Sequence, residues 1–408
     1  IYAQNDETLI SNCIVDTCIV TANSCMVTNC DALSSIICGS SCSISNCKVG
    51  GGLTSGTSCV ISGCQIAGTL TCGSSNDVSD TKCYAYTDSG SCNTQVNVTT
   101  TATLGTGTQV YGSRFNGAVT WNNQVQISNS RFGAGFAGAG GATSLAVSGS
   151  TFTASGLNFS ETGSLISSSR FINAVTLSGT NLIVSDSQFS SSVTISGTNA
   201  VFSGNRVGTD VTVSGSHTVL SSNFMRGLTL DNASSGDTAS VTGNRISGLI
   251  GNAGTVGVDC KMSYSSLANN SITYSVNVSG YYTALTGNII GDSTHTSSGI
   301  TYTGHYCVFT GNIIQDSVNA SSSVDITAVG NQAYGINLTS ATGFLIVGNN
   351  IHAAGVTPGA DPQGAAPFST AVIGNRLGAN HLFGSAVDGT AGQHSTGNTS
   401  SARQNNVE

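Results

Sequence analysis

The chain has 408 residues, of which 52 are Gly, 14 Cys and 3 Pro, and only 7% are Asp, Glu, Lys or Arg. Nineteen acids against 11 bases give a formal charge of −8, with neither sign gathered in any stretch. That composition argues against nucleic acid, which needs clustered Lys and Arg, and no apolar run nears the roughly 18 residues of a membrane helix.

The chain opens at Ile1 without Met and shows no leader, so it reads as a processed or truncated product. Repetition begins almost at once. Cys13, Cys30, Cys47 and Cys64 fall 17 residues apart, and Cys25, Cys42 and Cys59 keep the same step. Self-similarity at a fixed period of this length is the mark of a solenoid. Residues 1–80 are this Cys-rich tract. Residues 81–104 read as an irregular, Thr-rich break holding Cys83 and Cys92. Residues 105–246 return to regular coils, with phrases ending at Phe132, Phe171, Phe189, Val207 and Ile246. Residues 247–377 keep the phrase, at Ile290, Ile314, Ile351 and Leu377, but carry insertions near 247–264, 291–306 and 352–370. All three prolines, Pro358, Pro362 and Pro367, lie in the last insertion. The polar tail 378–408 is expected to be mobile unless a neighbouring chain holds it.

Within a repeat, residues 175–180, 193–198 and 211–216 alternate apolar with Thr or Ser. That is strand patterning with period two, and no window shows a helical period. Short strands cannot each bury a face alone, whereas stacked coils can. The spacing predicts an all-β parallel β-helix with coils of about 17–26 residues, in which Phe115, Phe132, Phe152, Phe171, Phe189 and Phe224 line one interior edge. The same phrase places an amide at each corner, in the series Asn205, Asn244, Asn270, Asn288, Asn312, Asn331, Asn349 and Asn375. Such a residue tolerates left-handed backbone angles and can bond a neighbouring backbone group or its equivalent one coil away.

On these repeats and corners, residues 8 to 378 resemble the right-handed parallel β-helix proteins, the pectate-lyase-like fold also used by phage tailspikes and large-virus surface fibres. A left-handed helix of hexapeptides is the rival, and the coil lengths argue against it. The resemblance implies architecture more than activity, since the corner phrase is structural throughout that group. It also implies where a depolymerising member would work: paired outer carboxylates, one acid and one base or nucleophile. Asp292 and Asp316 are the candidate catalytic pair here, because Gly-Asn-Ile-Ile-Gly-Asp and Gly-Asn-Ile-Ile-Gln-Asp put them at one phase of successive repeats. The bland alternative is that each Asp opens the next loop through a side-chain turn. No Trp or Tyr platform accompanies the pair in the sequence, and His295 and His305 fall in the intervening insertion.

The cysteines read as an inward ladder. No His precedes His217 and the spacing is not that of a metal site, so neither metal nor cofactor is expected. Equivalent Cα atoms one coil apart would also allow disulfides such as Cys13–Cys30, Cys47–Cys64 or Cys83–Cys92. An outward row of Thr176, Thr194, Thr212 and Thr229 admits an ice-binding reading, against ordinary strand preference on a wet face. Since no catalytic constellation outweighs its structural explanation, the chain reads as a structural protein: a rigid extracellular shaft on a virion surface, attaching to host glycans. The alternatives are a glycan-depolymerising hydrolase or lyase and a microbial adhesin. Both ends of the solenoid lack an obvious cap, so a homotrimer or packing against other virion proteins is expected.

Overall fold

The structure is a computed structural model that describes residues 1–231, 238–248, 256–291, 299–320, 324–338, 342–358, 370–377, 393–396 and 399–400. The chain divides into two units, Ile1–Ser191 and Ser192–Glu408. Each is a solenoid of short strands paired in parallel, and together they hold about 18 turns of roughly 18 residues. The described residues contain no helix, hence none long and apolar enough to cross a membrane.

In the first unit most turns carry three strands that pair in parallel with their equivalents in the next turn, and Gln65–Cys72 and Asp77–Asp88 run through more than one face as single strands. The first face stacks Leu9–Ser11, Met26–Thr28, Ser43–Ser45 and Val60–Ser62, with Ile10, Val27, Ile44 and Ile61 inward. The second stacks Ile14–Val15, Asp31–Ala32 and Lys48–Val49, and the third Ile19–Thr21, Ile36–Cys38 and Leu53–Ser55. Strands of two or three residues suffice because every backbone group is satisfied along the stack rather than within the turn.

The interior of the second face passes from Val49 and Ile66 to a column of phenylalanines. Phe115, Phe132, Phe152, Phe171 and Phe189 stack with centroids 4.8–5.1 Å apart and ring planes within 10°. Offset stacking at the coil spacing suits the ring quadrupoles and fills the core at once. Phe224 does not belong to this column. In the second unit it takes the outward position between Arg206 and Arg245, whose guanidinium carbons lie 5.5 Å from its ring centroid, while Met225 faces inward. The phrase there is Ser222-Asn223-Phe224-Met225, so Phe224 stands where the neighbouring turns have Arg206 and Arg245, and Asn223 is a ladder residue that the sequence series omitted.

Two other sequence divisions look different in space. Residues 81–104 run coil on coil: Lys82 pairs with Asn97, Cys83 with Val98 and Tyr86 with Ala102. Parts of the supposed insertions are third-face strands, since Val256–Cys260 and Ile300–Tyr302 pair with neighbours through Leu228↔Val258 and Val276↔Ile300. Pro358 ends the strand Asn350–Pro358, whereas Pro362 and Pro367 lie outside the described residues. Within the tail, Gln393–Thr396 and Thr399–Ser400 pair in parallel with Thr370–Ile373 and Arg376–Leu377.

Candidate functional site

The corner after the first face explains the repeat phrase. The left-handed residue is the one before the ladder position: Gly287 and Gly311 have φ of 65° and 63°, ahead of Asn288 and Asn312, which are not left-handed. A Cβ on Gly287 would also meet Asn269 Oδ1 at 2.6 Å. This turn leaves the next backbone N–H pointing along the axis, and the following coil must supply its acceptor. In the second unit that acceptor is an amide oxygen. Asn205, Asn223, Asn244, Asn270, Asn288, Asn312, Asn331 and Asn349 each donate their backbone N–H to Oδ1 of the next member, ending at Asn375, over 2.8–3.0 Å. The Nδ2 of each of these donors also reaches the next Oδ1, at 2.9–3.2 Å. All nine are buried.

In the first unit Ser does the same work. Val96, Ser113, Ser130, Ser150 and Ser169 donate their N–H to the hydroxyl of the next serine at 3.0–3.2 Å. At an earlier corner, Cys25 and Cys42 donate to Sγ of Cys42 and Cys59 at 3.4 Å, and Cys59 to Asn76 Oδ1 at 2.7 Å. The other cysteine series, Cys13, Cys30, Cys47 and Cys64, sends its thiols to main-chain carbonyls such as Thr28 O and Ser45 O. Cysteines throughout are free thiols, none paired as a disulfide, and all but Cys13 and Cys18 are buried. Burial pushes the Cys38, Cys72 and Cys83 thiols up to about 12. Thiols held protonated inside a core are packing groups, not nucleophiles. Among the described residues no cluster of three His, Cys, Asp or Glu is placed to hold a metal ion.

The proposed carboxylate pair is only half described. Asp316 is half-buried, and its carbonyl accepts the Tyr334 N–H at 3.1 Å. Asp292 and His295 lie outside the described residues. Of the Thr row, Thr194, Thr212 and Thr229 stand in register but half-buried, and Thr176 faces Asn158 in the first unit. The first unit carries a longer Thr row on its third face, Thr54, Thr71, Thr87, Thr103 and Thr120.

The arrangement that the sequence reading missed is aromatic. Tyr264, Tyr282 and Tyr306 form an outer ladder in the second unit, with centroids 4.8 Å apart and ring planes within 10°. They are 52%, 47% and 44% exposed, and Tyr281 lies against His305 beside them, with centroids 5.0 Å apart and ring planes tilted by 30°. All three ladder tyrosines have left-handed backbones, with φ of 52°, 54° and 58°. The corresponding corner in the first unit uses Ser, Gly, Gln, Asn or Glu, as at Glu7, Ser41, Gly107, Gln124 and Asn181. A residue other than Gly there costs on the order of 1–2 kcal/mol, an amount that stacking of the three rings offsets in part. Asp325, also left-handed and exposed, occupies the corner of the turn after Tyr306. His305 Nδ1 is buried with no hydrogen-bond partner among the described residues. A signal was present: each ladder tyrosine stands six residues before a ladder asparagine, at Asn270, Asn288 and Asn312.

No protein-family model and no curated protein matches the sequence. Among solved structures the chain is similar to a double mutant of the periplasmic alginate epimerase AlgG, at 11% identity over 95% of this chain and 77% of that one, with a TM-score of 0.15. A score that low carries no argument about activity. The chain is a parallel β-solenoid.

Proposed function

We propose that this protein is a structural, extracellular β-helical shaft that attaches to a surface glycan through the Tyr264–Tyr282–Tyr306 ladder. The observation that carries the reading is that ladder: three exposed rings at one coil spacing, kept in spite of an unfavourable backbone conformation. The row of phenol hydroxyls, at one coil spacing along the stacked rings, suits the hydroxyls of a sugar chain. The nearly uncharged Ser/Thr/Asn surface fits a shaft of the kind found in the right-handed β-helices of phage tailspikes and large-virus fibres, which work on virions as trimers. Screening the protein against an array of neutral surface glycans, with Tyr282→Ala beside it, tests the reading. Binding that Tyr282→Ala abolishes while the fold melts normally is the expected result, and equal binding by both proteins would remove the ladder from the function.

The register Ile290↔Ile314 favours one further reading, because it aligns the two Gly-Asn-Ile-Ile-x-Asp phrases. Under it the shaft also cleaves the glycan it holds, with Asp316 as one carboxylate. New reducing or unsaturated ends after incubation with the bound glycan, lost in Asp316→Asn, would establish it.

A further inference from the structure

The first unit contains five basic residues, Lys48, Lys82, Arg114, Arg131 and Arg170, dispersed in sequence. The coil register brings all five to one outward column of the second face: Lys48↔Gln65↔Lys82↔Asn97↔Arg114↔Arg131↔Thr151↔Arg170↔Gln188. All five are exposed, and among the described residues none forms an ion pair and the one polar side-chain partner is Asn116, 3.0 Å from Arg114 Nε. At about 4.8 Å per coil the stripe from Lys48 to Arg170 runs roughly 34 Å. Asp31 pairs in register with Lys48 and Asp186 occupies the corner beside Gln188, at the two ends, while Asp80 occupies the corner beside Lys82, within the stripe. Between these the corner positions are neutral, at Gly112, Asn129, Gly149 and Ser168. A second observation falls on the same stripe. A shallow depression there is lined by residues that include Lys48, Gln65, Ala67, Lys82, Tyr84 and Thr99. Tyr84, 53% exposed, stands at its side.

We propose that this stripe binds a linear acidic polysaccharide with its anionic group on alternate sugars, seated with one sugar in the depression against Tyr84. Charge complementarity requires an anion, since a row of unpaired cations on a unit whose net charge is otherwise negative concentrates field along one line. The rhythm of the column selects the polymer. Cation and neutral hydrogen-bonding residue alternate from Lys48 to Arg114; Arg131 follows Arg114 directly and slips the phase by one coil before the alternation resumes to Gln188, so an extended glycan advancing by about one coil spacing per sugar meets one of the two tracts in phase at a time. Arg forks then take carboxylate or sulfate, and the intervening amides take hydroxyls. Single-stranded nucleic acid fits less well, because it requires stacking platforms repeated along the strand, and only Tyr84 flanks this row. The site lies in the first unit and does not rest on the tyrosine ladder of the second.

Titrating the full chain with hyaluronan oligosaccharides, which carry one carboxylate per disaccharide, tests the proposal. Equal-length oligogalacturonate, neutral dextran and single-stranded DNA serve as comparisons. Hyaluronan should bind in low salt and release in high salt, and dextran should not bind. The triple variant Lys82→Gln, Arg114→Gln, Arg170→Gln should lose affinity by at least about tenfold. Gln already occupies this column at Gln65 and Gln188, so the variant should melt as the parent does. Tyr84→Ala should weaken binding without changing its salt dependence, and Tyr282→Ala should leave it unchanged. Absence of hyaluronan binding, an unaffected triple variant, or loss in Tyr282→Ala would overturn the assignment. A preference of tenfold or more for oligogalacturonate or DNA would overturn it equally.

Discussion

Oδ1 of Asn312 accepts two hydrogen bonds from Asn288, one from its backbone N–H and one from its Nδ2, each at 2.9 Å. Asn288 in turn accepts from Asn270 and donates to Leu267 O at 2.8 Å, so every polar atom of its amide is used inside the core. Asn288→Leu therefore strands the Asn270 N–H and the Leu267 carbonyl. The expected loss is about 1–3 kcal/mol in denaturant unfolding. Asn288→Ser, which restores an acceptor in the manner of Ser130, should lose less. Equal losses for both would mean that shape rather than hydrogen bonding sets the corner.

Tyr264 is the end ring of the ladder, with one stacking neighbour in Tyr282 and a left-handed backbone. Replacing it by Asn removes a stacking contact of about 0.5–1.5 kcal/mol and relieves a backbone penalty of similar size. Stability should then stay within about 1 kcal/mol of the parent while glycan binding falls. A large destabilisation would show instead that the ladder is part of the structural core.

Alkaline pH should weaken the first unit. Unfolded thiols ionise near 9, whereas burial holds Cys38, Cys72 and Cys83 to about 12. Between those values the folded chain binds more protons than the unfolded one, so stability is complete below about pH 9 and declines as pH rises toward 12. Melting curves across that range, against a Cys38→Ala, Cys72→Ala, Cys83→Ala variant measured for slope rather than absolute stability, check the sign. A parent slope no steeper than the variant's would refute it.

Asp88 is buried in the first unit, with Oδ1 accepting from Gly105 N–H and the Thr108 hydroxyl at 2.7 Å and Oδ2 unpartnered. Burial raises its carboxyl above the usual range. Its folded form thus favours the proton, and its contribution is present in acid and lost as pH rises through the folded value. Asp88→Asn should melt above the parent at pH 7, and the two melts should converge as pH falls below the ordinary carboxylate range. A gap independent of pH would assign the effect to packing.

Much of the architecture was legible because each turn repeats one local problem. The residue after a left-handed corner needs an acceptor from the next coil, so Cys, Ser or Asn recurs at that phase, and the 17-residue step of Cys13 to Cys64 or the run from Asn270 to Asn375 announces it. The stacked phenylalanines from Phe115 to Phe189 were visible for the same reason, since they share the phase next to those corners. Phe224 was misplaced because the phrase around it keeps its phase, with Met225 inward, and puts Phe at the preceding outward position that Arg206 and Arg245 hold in the neighbouring turns. Successive residues of a period-two strand face opposite sides, so a Phe one place early is an outer residue.

What the sequence alone determined is therefore the period, the strand character and the inward residues, all of which depend on neighbours within one turn. Tertiary structure decided which outward residues meet. Tyr264, Tyr282 and Tyr306 are 18 and 24 residues apart, and Lys48 and Arg170 are separated by more than a hundred, because turns differ in length and only strand pairing restores their phase. Side chains facing water leave no hydrophobic trace of that phase, so a stripe of five cations and a row of three rings become visible only once the coils are stacked.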